Sequence, residues 1–97
     1  MPIKQKTGRL IFLRAHERGT GYGPPTDFLD AEVIVRFEGD GSKAYGFQLR
    51  SDDKLPAAQA MFALLQDAFS ANAPVTIDFD EIAGRNHHRL FRVWRNL

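Results

Sequence analysis

The stretch Gly84–Leu97 carries Arg85, Arg89, Arg92 and Arg95 and no acidic residue, with His87 and His88 beside them and Phe91 and Trp94 interleaved. Arginines follow phosphates while bases stack on aromatic rings, so the pattern suits single-stranded nucleic acid. Arg14, Arg36 and Arg50 extend the basic set if the fold gathers them on one face. A simpler role competes. Asp78, Asp80 and Glu81 lie just upstream, and opposite charges facing each other across an antiparallel pair are ordinary. The whole chain holds 13 Lys and Arg against 12 Asp and Glu, a net charge of +1. That balance exerts no global pull on a polyanion, so pairing is the simpler expectation for these arginines.

Other residue sets with chemical potential are weaker. Gly19–Thr26 holds three Gly and two Pro around Tyr22, but it lacks the Gly-Lys-Ser/Thr ending of a nucleotide loop and runs into a strand-like segment. It reads instead as a mobile contact loop with Tyr22 at its tip, or as a plain long connection. His87 and His88, with Asp80, Glu81 and His16, include metal-ligand types, yet adjacent residues of a strand face opposite ways and no zinc spacing is present. The two histidines read as a solvated loop, and no metal or cofactor is expected. Asp52-Asp53 sits where a helix cap belongs, Asp78 and Asp80 lie on the polar face of a strand, and Ser42, Ser51 and Ser70 occupy turn, cap or helix-end positions. No nucleophile has a base at a defensible spacing, so an enzyme is not expected.

Ninety-seven residues make one domain, spanning 1–97 with the ordered part from about residue 7. A chain of this size buries enough surface to hold a core without staples, and 8 Phe supply bulk for it. There is no Cys, which excludes disulfides and thiolate metal sites. Neither a leader-like apolar stretch at the N-terminus nor a membrane-length apolar run is present, so a cytoplasmic location away from membranes is expected.

The elements that must position these residues follow from periodicity. Arg9–His16 reads as a first strand, Ala31–Phe37 as a second with clean alternation, and Ala44–Arg50 as a third after a Gly39–Ser42 turn. Gly46 marks a bend or bulge. Ala57–Ala71 is a helix whose apolar stripe is Ala58, Met61, Phe62, Leu65, Ala68 and Phe69, closed by Asn72 and Pro74. Val75–Phe79 and Arg89–Leu97 complete the set. In the last strand Phe91 and Val93 share one face, and Leu90, Arg92 and Trp94 the other. Leu10, Phe12, Ile34, Leu90 and Trp94 fall opposite the expected core and would form an outward apolar patch, wide enough if clustered to mark a protein interface.

This β-β-β-α-β-β order resembles the oligonucleotide/oligosaccharide-binding (OB) fold over roughly Arg9–Arg95, at the level of topology. The resemblance implies a small five-stranded barrel or highly curved sheet, with the helix capping one end. An α+β sandwich is the alternative. The resemblance also implies a ligand face on the second and third strands, here Glu32, Ile34, Arg36, Gln48 and Arg50, flanked by loops 19–26 and 80–88.

Two functions follow as expectations. One is a non-enzymatic module binding single-stranded nucleic acid through Tyr22, Arg36, Gln48, Arg50, Arg92 and Trp94. The other is a self-associating domain, a homodimer in the simplest case, binding a protein or small ligand through Leu10, Phe12, Ile34, Leu90 and the Tyr22 loop. A groove shared by Arg36, Arg50 and Arg92 favours the first. Pairing of those arginines with Asp78 and Asp80 favours the second.

Overall fold

The computed structural model describes residues 3–96. In chain order the elements are β1 (Ile3–Gly8), β2 (Leu10–Ala15), β3 (Val33–Phe37), β4 (Ala44–Phe47), α1 (Leu55–Ala71), β5 (Val75–Asp80) and β6 (His87–Trp94). A single 3-10 turn, Pro25–Asp27, interrupts the long β2–β3 connection. The strands form one mixed sheet of order β1-β5-β6-β4-β3-β2, antiparallel except where β4 runs parallel to β6.

The described residues thus form a β-rich α+β fold with one helix, and their sheet has six strands rather than five. The additional strand is β1, which pairs along β5 from Ile3 opposite Asp80 to Gly8 opposite Val75, ahead of the expected start near residue 7. Ile-Lys-Gln-Lys-Thr-Gly carries no apolar alternation because this edge strand is largely open to solvent. β1 and β2 lie at opposite edges of the sheet, yet only Arg9 separates them in the chain. The two edges are not paired with each other, so the sheet is open rather than a closed barrel.

One face of the sheet holds the main core. Val33, Val35 and Phe37 of β3, Tyr45 and Phe47 of β4, Val75, Ile77 and Phe79 of β5 and Leu90 of β6 meet Ala58, Leu65 and Ala68 of α1 there. The helix ends as its sequence requires. Asn72 takes the left-handed conformation (φ 50°), and its N–H reaches back to the Ala68 and Phe69 carbonyls. At the other end no side chain caps Lys54, although the Asp52 carboxylate accepts the Lys54 N–H at 2.9 Å. Phe69, expected on the buried stripe, is instead 43% exposed.

Two bulges set which side chains face which way. A register shift between Leu10 and Phe12 leaves Ile11 exposed and lets both Leu10 and Leu13 join the core. A second shift puts Phe91 opposite no partner: Asp78 faces Arg92, while Phe79 faces Leu90. Each extra residue inverts the alternation beyond it. Leu90 therefore faces inward with Val93, and Phe91 is freed from their face.

Candidate functional site

The outer face of β3 and β4, where the OB resemblance puts a ligand, is filled by the chain itself. The 16–32 connection folds across it, and Tyr22 and Leu29 pack with Phe12 on a second small core of Ala31, Ile34 and Ala44. Gly46 makes room for this cover. A Cβ there would stand 2.7 Å from Ile34 Cδ1 and 2.9 Å from Leu29 Cδ2. Tyr22 is therefore not a free loop tip. Its backbone exchanges hydrogen bonds with Leu29, and its ring sits 6.2 Å from Phe12 and 5.0 Å from His87.

Asp27 fastens the cover to the β5–β6 loop. Its carboxylate accepts the backbone N–H groups of Asn86 and His87 at 3.1 Å, and its carbonyl accepts from His87 Nδ1 at 2.6 Å. Burial alone would raise the Asp27 carboxyl; those donors and the nearby His87 and Arg85 outweigh it and hold it below the ordinary value.

Of the arginines expected to converge, Arg36 turns back on its own hairpin, donating to the Gly41 carbonyl at 2.7 Å. Arg50 forms a fork on Glu32, with Nε to Oε1 and Nη2 to Oε2 both at 3.0 Å, and Nη2 also reaches Asp30 at 2.7 Å. Glu32 is buried. Burial pushes its carboxyl up, but the Arg50 guanidinium and the Leu49 N–H prevail and keep it low. The same two acids raise the Arg50 pKa further. Gln48 donates to the Asp30 carbonyl at 3.1 Å. Arg36, Gln48 and Arg50 thus hold loops, and of the three Gln48 also lines the cleft that Arg89, Leu90 and Phe91 of β6 border.

The outward apolar patch does not exist as a surface either. Leu10 and Leu90 belong to the main core, Ile34 is fully buried, and Phe12 is packed under the cover. The bulges explain the first two and the folded connection the last two.

What remains open is the outer face of β6 and its neighbours. Arg92, 64% exposed, donates to Asp78 at 2.9 Å across the strand pair, and Arg89 reaches Asp80 at 3.4 Å. Both guanidiniums also lie over the Phe91 ring, at 5.2 and 6.0 Å from its centroid. Trp94 is partly buried further along the strand, opposite Thr76. Phe91 and Arg89 divide two depressions. One is a shallow hollow shared with Ile3 and Asp80; the other is a cleft of about 170 Å³ between β6 and the start of α1.

His87 and His88 belong to β6 and are buried, not part of a solvated loop. Their rings face different neighbours, His87 meeting Tyr22, while His88 lies between Tyr45 and Phe79 and accepts the Ile82 N–H at 3.2 Å. Burial pushes the His88 imidazole below its ordinary value, against the opposing pull of Glu81.

Asp27, Glu32 as the Arg50 partner, and Ile3 were not singled out by sequence. For Asp27 a signal exists: Pro-Pro-Thr-Asp is turn-forming chemistry in which a short carboxylate collects free N–H groups. No protein-family model matches the chain, and neither the curated proteins nor the solved structures contain a match to it.

Proposed function

We propose that this chain is a non-enzymatic binding module built on an OB-like, highly curved open sheet, and that it holds a segment of a partner polypeptide on the outer face of β6. The OB-like reading is supported by the Arg9 joint: β1 and β2 act as two halves of one long strand serving both edges of the curved sheet. The Glu38 N–H donates to the Arg9 carbonyl at 2.9 Å, and Lys6 of β1 pairs with Asp40 of the β3–β4 turn at 3.3 Å.

The observation that carries the ligand reading is Phe91, flanked by two arginines that are each already paired with a carboxylate. A phosphate approaching Arg89 or Arg92 would also meet Asp80 or Asp78, which weakens the attraction. Aromatic and arginine side chains with satisfied charges are what the centres of protein interfaces collect. The carboxylates of this face are engaged by arginines rather than free for proton transfer, which supports a binding role over catalysis.

The single-strand reading keeps one observation in its favour. Arg85 and Arg95, on the same segment as Phe91 and Trp94, make none of the ion pairs found among the described residues.

The test is selection of displayed peptides on the intact chain, alongside titration with a short oligo(dT) at two salt concentrations, followed by Trp94 fluorescence. Peptides that bind wild type and fail on Phe91→Ala, with no oligonucleotide response, support the polypeptide reading. Salt-sensitive quenching by oligo(dT) contradicts it. A second copy of the chain as the partner would show as concentration-dependent sedimentation lost in Phe91→Ala.

A further inference from the structure

We propose that the cleft beside Phe91 is the anchor pocket of this interface, taking one apolar side chain of the partner segment together with an adjacent carboxylate. The inference rests on the polypeptide reading above and specifies its chemistry. The floor is apolar: Phe47 from β4, Leu90 from β6, and Ala58 and Met61 from α1. Leu90, Ala58 and Phe47 are core residues whose inner edges are fixed by packing, so this floor is pre-formed. At about 170 Å³ the space exceeds the roughly 150 Å³ that suffices for a benzene-sized group in an apolar protein cavity.

The rim decides what must accompany that group. Lys54 stands at the mouth and makes none of the ion pairs found among the described residues. Arg89 faces the same space, but its charge is already met by Asp80 at 3.4 Å, so Lys54 is the cation left to answer an anion. The single acid on the rim, Asp52, accepts the Lys54 backbone N–H through Oδ1 at 2.9 Å, which holds it at the helix start. Lys54, the cation of this rim outside those ion pairs, over an apolar floor complements an aliphatic or phenyl side chain next to a carboxylate. Phe91 forms the wall between this cleft and the exposed face, so one extended segment can reach both.

The test uses ¹⁵N-labelled intact chain titrated with N-acetylleucine, with its neutral carboxamide, and with peptides selected by display. N-acetylleucine is expected to shift the amides of Ala57, Ala58 and Arg89 saturably. The carboxamide should bind about fivefold more weakly, as for loss of a part-exposed ion pair. Lys54→Glu, on the exposed rim, should abolish the preference for the acid. Ala57→Leu, a helix-compatible plug at the mouth, should abolish both titrations. Equal binding of acid and amide, or shifts indifferent to Ala57→Leu, overturn the proposal. Selected peptides that require Phe91 yet leave Ala57 and Ala58 unmoved overturn the anchor pocket alone and keep the interface. N-acetylleucine binding without any Phe91-dependent peptide overturns both, leaving a small-acid site.

Discussion

The Arg92 guanidinium donates to the Asp78 carboxylate at 2.9 Å and lies 5.2 Å over the Phe91 ring, so one arginine is fixed by a neighbouring strand and a neighbouring residue together. Arg89 repeats the arrangement with Asp80. The acids hold the arginines in place and also cancel the charge that a nucleic acid would seek.

If that cancellation governs ligand choice, removing it should create oligonucleotide binding. The double variant Asp78→Asn, Asp80→Asn is expected to bind oligo(dT) at low salt where wild type does not. The logarithmic salt slope should be about −1.4, for two phosphate contacts on a single strand. A double variant as indifferent to oligo(dT) as wild type would mean that the acids do not set the preference.

Glu32 is buried against Arg50 and the Leu49 N–H. Glu32→Ala should lower unfolding stability by about 2 kcal/mol, since it strips a forked partner from a largely enclosed guanidinium that retains only Asp30. Chemical denaturation is the measurement. A change of a few tenths would show that the fork contributes no more than an exposed pair.

Gly46→Ala should destabilise the fold by about 1–3 kcal/mol, because its methyl would press on Ile34, Leu29 and the Val33 carbonyl. The cover should loosen in the same variant, with faster hydrogen exchange at the Tyr22 and Leu29 amides, which now bond each other's carbonyls. Unchanged exchange at those two amides would mean that the cover does not depend on this contact.

His88 has a folded-state pKa below its ordinary 6.5, chiefly through burial. The unfolded chain therefore takes up a proton near pH 6.5 that the folded chain refuses until lower pH. Its contribution is complete above 6.5 and is lost as pH falls through the folded value. The denaturation midpoint should decline over that window, before Asp27 and Glu32, both held low, begin their own loss as pH falls through the ordinary carboxylate range. An NMR titration placing the His88 ring at or above 6.5 would contradict this.

Most of the fold was legible because period-two alternation and a helical stripe are strong signals. β1 was not, since an exposed edge strand has no need of buried alternation, and Ile3–Gly8 reads as polar coil. The candidate site was legible only at β6. A single unpaired residue at each bulge turned Leu10 and Leu90 inward, against the alternation read from the sequence, and nothing in the composition of either strand marks where the register slips. Ile34 and Phe12 were correctly placed outside the main core. Their burial comes from Tyr22 and Leu29, brought there by a connection whose path depends on long-range packing and the Asp27 hydrogen bonds.

The central claim is that β6 presents Phe91 to a partner polypeptide, and calorimetry on wild type and Phe91→Ala with one selected peptide and with oligo(dT) tests it most directly. The predicted result is a loss of peptide affinity of at least about thirtyfold in Phe91→Ala, as for an interface hot spot, with no heat from the oligonucleotide. Equal peptide affinity in the two proteins, or oligonucleotide binding that falls steeply with salt, would contradict it.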